Sequence, residues 1–428
     1  MPISILYLLF NILLLAGLVF LLWRQEPDTF LKKLFFPALF LKIMCGIGLG
    51  YFYINYANGS DTYRYHTQSL VVYDYFQEHP SKYFYLLLSQ PYQSSTFRHL
   101  IDFATYSNSY FLVLVLSLLN IITNGSYYLN SVYFSLFCFF GVWQLIRVLN
   151  HLNTEYKVPV VFSFLLFPSV AFWSSGVMKE PIYLGALCWL FAATLTIAYQ
   201  ERNNNFLKHL LQGIIAAYLV WKMRYYFAAV VFPLLFSFAL VKLLANKLKL
   251  SASRRRTIVI FGGWILVIAL FLSQLQTTLN LEFFLEQLMK NYHTLLKASE
   301  GKPVIELTNL EPTVCSVMLH APLALLQTIY RPFLGEGTSF FYWVAGLENL
   351  FILGLSAFSL IGFIKKSPKE ITFIFIIMGI YILVVGALLG LTTPNFGTLN
   401  RYRIAILPFL VFILLQGSFT YWRFRKKT

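Results

Sequence analysis

Charge is scarce in this chain, and acidic charge scarcer still: 12% of its 428 residues are charged, 17 Asp and Glu against 33 Lys and Arg. Roughly a quarter of residues carry charge in an ordinary soluble domain, so that class is excluded. Cysteine is nearly absent as well. Cys45, Cys138, Cys188 and Cys315 lie far apart with no second Cys or His at ligand spacing, which argues against a disulfide framework or a structural zinc. A Walker loop, a dinucleotide fingerprint, a His-Glu-x-x-His helix and a nucleophile elbow are all missing. ATP-driven transport, redox chemistry and protease or lipase activity lose their support accordingly. The net charge of +16 comes with no basic, aromatic-interleaved module outside the apolar runs, so nucleic acid is not an expected partner. No fixed-period repeat or low-complexity tail is present.

What the chain has instead is apolar length. It is 58% hydrophobic and 18% aromatic, with a mean hydropathy of +0.67. Runs of about 20 apolar residues, the length that crosses a hydrocarbon core, recur from one end to the other. The predicted fold class is all-α: a polytopic transmembrane helix bundle of about eleven spans, forming one integral membrane domain over 1–428. The first run, ISILYLLFNILLLAGLVFLLW, has no basic segment before it and no cleavage site after it, so it reads as a retained helix.

Orientation follows from the positive-inside rule. KLKLSASRRRT, with Lys247, Lys249, Arg254, Arg255 and Arg256, is placed inside, together with RQEPDTFLKK, the Arg147–Lys157 linker, ERNNNFLKH, KKSPKE and the tail WRFRKKT. This predicts an outside N-terminus and a cytoplasmic C-terminus. Spans are expected near 127–149, 158–173, 178–199, 206–221, 225–245, 257–273, 340–363, 371–391 and 403–422, after two N-terminal ones, with FLVLVLSLLNII re-entrant or interfacial. The outer face then receives two large segments, about 58–109 and 273–339, the second holding the helix-like LEFFLEQLMKNYHTLLKASE.

Three polar constellations fall on that outer side. NGSDTYRYH places Asp61, Arg64 and His66 within about one helical turn. A carboxylate there suits a general base on a sugar hydroxyl or a cation ligand, and Arg64 suits phosphate. The plain alternative is an N-capping Asp among interfacial aromatics. FPSVAFWSSGVMKEP sets Ser174, Ser175, Gly176, Lys179 and Glu180 as a polar island in an apolar run, between Pro168 and Pro181. Lys179 and Glu180 are adjacent, so on a helix they point about 100° apart and need separate partners. Ionisable groups at membrane depth mark a functional path by default, and the island is read as lining an outward-facing polar cavity. Finally, Lys222, Arg224, Arg331, Arg401 and Arg403 run against the positive-inside bias. An anionic ligand explains them, since guanidinium groups hold phosphate bidentately; ion pairing with Glu336 and Glu348 is the structural alternative.

GSDTYRYH, FPSVAFWSSGVMKE, YRPFLGEG followed by LEN, and NFGTLNRYR, spread over most of the chain, together resemble the O-antigen and exopolysaccharide repeat-unit polymerases. More distantly they resemble the GT-C membrane glycosyltransferases, although here the polar loop follows the second span and lacks a double acid. The resemblance implies a polyprenyl-pyrophosphate-linked saccharide as substrate at the outer face of a bacterial cytoplasmic membrane, with membrane lipid around it. Polysaccharide export or chain-length proteins would be its partners. Asp61 or Glu180 would activate the acceptor hydroxyl. Arg224, Arg331, Arg401 and Arg403 would bind the pyrophosphate, and Lys179 and His66 would orient or neutralise. Arg64, Lys222 and Glu336 complete the expected substrate-binding set. No resident cofactor or metal is expected, and a divalent cation stays open. The competing readings are a flippase or transporter of lipid-linked oligosaccharide, a single-sugar transferase using a polyprenyl-phosphate sugar, and a non-catalytic scaffold. Asn58-Gly-Ser and Asn124-Gly-Ser match glycosylation sequons, which matter only in a eukaryotic secretory pathway.

Overall fold

A computed structural model describes residues 5–56, 61–199, 205–247, 261–264, 281–365 and 373–425. It is 84% helical, and no strand occurs among the described residues. Most of the basic linker at 247–257, the expected span at 257–273, most of KKSPKE and ERNNN, the last tail residues and Asn58 lie outside them.

Among the described residues, seven helices are long and apolar enough to cross a membrane: Ile5–Arg24, Thr29–Asn55, Tyr127–Leu152, Lys179–Tyr199, Tyr225–Leu244, Phe340–Gly362 and Phe373–Thr392. The pair Phe396–Ala405 and Leu407–Gly417, bent by 66°, makes an eighth if it is one broken span. In lipid every backbone amide needs an internal partner, and continuous helices supply one. The stretch expected to cross at 158–173 is not one helix. It runs from Lys157–Val161 through a π turn at Phe162–Leu166 into Pro168–Trp173. Pro168 has no N–H to continue a ladder, and Phe167 N donates to Phe162 O at 2.8 Å. The segment 206–221 is helical within Phe206–Met223 but is not among the seven.

The chain divides into two compact units. The first comprises residues 1–143, 171–186 and 222–224. It holds α1 (Ile5–Arg24), α2 (Thr29–Tyr56), α3 (Asp61–Glu78), α4 (Pro80–Ser89), α5 (Ser95–Leu100), α6 (Asn108–Thr123) and most of α7 (Tyr127–Leu152). The expected outer segment 58–109 is thus largely helical. Val72, Tyr83, Leu86, Phe97, Ile101, Tyr110, Val113 and Leu114 form its core. Polar side chains fasten the helices where the hydrophobic effect cannot, because lipid is as apolar as Leu. Asn11 of α1 donates to Ile122 O at 3.0 Å and accepts from the Tyr133 hydroxyl at 2.7 Å. Asn130 donates to Asn120 at 2.6 Å, and Asn120 donates to Ser69 at 3.0 Å. Asn124 ends α6 in the left-handed region, φ 51°, which Asn tolerates better than most residues; this accounts for the second Asn-Gly-Ser without glycosylation. α7 crosses the start of α10 (Lys179–Tyr199) closely enough that a Cβ on Gly141 would run into the Gly185 carbonyl.

The second unit comprises residues 144–170, 187–221 and 225–428. After α8 (Lys157–Val161), α9 (Pro168–Trp173) and α11 (Phe206–Met223) come α12 (Tyr225–Lys247) and α13 (Leu281–Lys297). The unit closes with α14 (Val314–Tyr330), α15 (Phe340–Lys365), α16 (Phe373–Thr392), α17 (Phe396–Tyr402) and α18 (Leu407–Arg425). α13 is the amphipathic helix expected in the segment 273–339, but that segment also contains α14, an apolar helix of 17 residues. α14 packs against α16, where a Cβ on Gly390 would overlap the Ala324 carbonyl and Thr328 donates to Gly386 O at 3.0 Å. Phe191 and Phe409 each meet Tyr381 edge to face, beside Phe164 and Phe412.

Candidate functional site: a polar junction in the first unit

The first unit gathers seven of the sequence-predicted site residues. α3 is a polar helix, yet Thr62, Tyr65, His66 and Ser69 are buried along one of its faces. Thr62 bridges to the Tyr127 hydroxyl at 2.8 Å and donates to Val177 O at 2.7 Å. Tyr63 stacks on Tyr127 with centroids 4.5 Å apart. The opposite face leaves Asp61 and Arg64 exposed, Arg64 over the Phe103 ring at 4.7 Å. Among the described residues Arg64 makes no ion pair. His66 sits edge-on to Tyr127, its Nδ1 buried without a hydrogen-bond partner. Burial disfavours the charged ring and pushes its pKa down to about 4.

Lys179 and Glu180 go to separate partners, as their adjacency requires. Lys179 Nζ donates to Asn108 Oδ1 at 2.7 Å and to Ser109 Oγ at 2.8 Å, and lies 5.2 Å from the Tyr65 ring. Glu180 accepts from Arg224 at 2.9 Å, both side chains about one-twentieth exposed. Lys222 donates to the Tyr92 hydroxyl at 2.8 Å, and Met223 O accepts from Asn108 at 3.1 Å. Most of the polar island is therefore buried and hydrogen-bonded inside the first unit. Ser174 and Ser175 are fully buried, and Gly176, at φ +80°, donates to Ser135 Oγ at 3.0 Å. Glycine is needed twice here: at Gly176 for its left-handed φ, and at Gly46, where a Cβ would strike Ser135.

One participant was not foreseen. Lys42, in the middle of α2 and 2% exposed, donates to Ser174 Oγ. The signal was a lone lysine inside LFFPALFLKIMCGIGLG, a placement that costs at least a few kcal/mol in lipid unless the amine finds oxygen.

The remaining predicted cations belong to the second unit and are largely matched there. Arg331 makes a bidentate pair with Glu336, Nη2 to Oε1 at 2.8 Å and Nε to Oε2 at 3.1 Å, and Glu336 also accepts from Phe333 N at 2.8 Å. Arg403, 1% exposed, donates to Asn349 at 2.6 Å and faces Glu348 at 3.6 Å, while Glu348 accepts from Ser169 N at 3.0 Å. Arg401 lies 5.1 Å from the Tyr402 ring. The ion-pair alternative with Glu336 and Glu348 thus describes Arg331 and Arg403, whereas Arg224 pairs with Glu180. No group of three His, Cys, Asp or Glu side chains is disposed to hold a metal among the described residues.

These features define a multi-pass helical membrane protein. No family model, curated protein or solved structure matches the chain.

Proposed function

We propose that the chain is a membrane glycosyltransferase of the polysaccharide-polymerase type, using polyprenyl-pyrophosphate-linked saccharides. The observation that supports it best is the construction of α3. Its buried polar face fixes it on the ends of membrane-length helices, and its other face offers Asp61 and Arg64 to an incoming head group. Asp61 is the base in this reading, because it lies exposed on α3 whereas the Glu180 carboxylate is buried. The Asp61 carboxylate takes the proton of an acceptor hydroxyl, whose oxygen attacks the anomeric carbon of the lipid-linked chain. The bond from that carbon to pyrophosphate breaks, and the lipid pyrophosphate departs with the electron pair. Arg64 and Lys179 offset its charge.

The reading includes the finer topology: about eleven crossings of a bacterial cytoplasmic membrane, N-terminus outside and C-terminus inside, with α3 on the outer side. Asp61→Asn and Arg64→Ala are expected to abolish polymer beyond a single repeat while the protein still accumulates in the membrane. Normal polymer in either variant counts against it. The matched charges of the second unit favour the scaffold alternative for that unit, and the site is accordingly placed in the first.

A further inference from the structure

In the second unit, residues 304–313 between α13 and α14 form a strap. Ile305 and Leu307 are buried while Glu306 and Thr308 are exposed, the alternation of an extended chain lying flat on the fold. Its first half is tied on two sides. Ile305 N donates to Pro394 O at 2.8 Å, Leu307 N donates to the Tyr292 hydroxyl of α13 at 2.8 Å, and Val304 bridges to Asn395. Asn395 in turn caps α17, accepting from Thr398 N at 3.0 Å. The middle of the strap meets His320 of α14.

His320 Nε2 lies 2.9 Å from Thr308 O on the strap, and its Nδ1 lies 2.7 Å from Ser316 O, one turn back on α14. A backbone carbonyl only accepts, and a neutral imidazole has one N–H and one lone pair. Turning the ring over would set carbons against both oxygens, inside the about 3.3–3.6 Å of a C–H···O contact. The imidazolium, with a proton on each nitrogen, satisfies both carbonyls. A neutral ring keeps one bond and turns a lone pair toward the other oxygen. The bond within the helical turn orders no further chain, whereas the bond to Thr308 holds a strap whose ordering costs conformational entropy. The strap bond is therefore the one given up. The titratable groups around the ring are Glu306 and Glu311 on the strap, Cys315 and Tyr330 on α14, and Tyr292 and His293 where α13 meets the strap; the turn at 393–395 brings none. Among the described residues no carboxylate comes within ion-pair distance of the ring.

We infer that residues 304–313 are a pH-sensitive latch, closed on α14 by doubly protonated His320 and released when the ring loses a proton. The latch ties the pH around the ring to the turn that starts α17, and it stands without the transfer activity proposed above. The test is hydrogen–deuterium exchange on the full chain in lipid nanodiscs at about pH 5 and about pH 8, on either side of the range in which imidazole changes charge. Each rate is divided by the intrinsic rate at that pH. Protection of the strap amides is expected to fall about tenfold from the lower pH to the higher, as for loss of one hydrogen bond to a charged group. His320→Gln should show weak protection at both and no pH step, and His293→Gln should keep the step. Nitrogen NMR of the histidine-labelled chain should show two ring N–H groups for His320 at the lower pH. Equal strap protection at the two pH values, a step that survives in His320→Gln, or a single ring N–H at the lower pH overturns the assignment.

Discussion

Glu180 and Arg224 form a 2.9 Å ion pair with both side chains almost wholly buried, joining the first turn of α10 to the residue that follows α11. Removing one member leaves the other charge without compensation, a loss of about 3–5 kcal/mol. Glu180→Gln and Arg224→Met are each expected to lower the midpoint of thermal unfolding sharply. The double variant should recover part of the loss, because a buried pair replaced by neutral groups is often tolerated. A double-mutant cycle followed by near-UV circular dichroism reads this directly; simple additivity of the two losses would contradict it.

Gly141 and Gly185 let α7 and α10 approach backbone to backbone. Gly141→Ala forces overlap with main chain that has no rotamer to change, at a cost of about 1–3 kcal/mol. Gly213→Ala is the matched control, since its Cβ would meet Ala193 Cβ at an ordinary 3.7 Å. Equal stability of the two variants would show that the helices are less closely apposed.

The adjacency of Lys179 and Glu180 was legible as a demand for two partners, because the 100° turn per residue is a property of any helix. Which partners answer it was not, since Asn108, Ser109 and Arg224 arrive from distant chain. The first two membrane helices and α16 were plain from their unbroken apolar runs. α14 was hidden because His320 and Pro322 interrupt a helix of only 17 residues. The break in the stretch expected to cross at 158–173 falls where proline blocks the ladder, a local effect that hydropathy does not register. Lys42 was overlooked because its oxygen partner, Ser174, is 132 residues away.

His66 is neutral in the fold, because burial pushes its pKa down to about 4 from the ordinary imidazole value of about 6.5. The unfolded chain therefore binds more protons between these values. Stability is fully present above about pH 6.5 and falls as pH drops toward 4, by an amount on the order of 2–3 kcal/mol. His66→Phe should flatten that part of the stability curve. An unchanged slope between pH 6.5 and 4 in the variant would mean that His66 is already charged in the native state.

The most direct measurement is reconstitution of the purified chain in liposomes with a polyprenyl-pyrophosphate-linked oligosaccharide. The product length and the leaflet occupied by the lipid are followed together. Glycosyl transfer at the α3 face predicts longer saccharides, release of polyprenyl pyrophosphate, and loss of both in Asp61→Asn. Movement of the lipid between leaflets with no chain growth would contradict that account and assign the junction to transport.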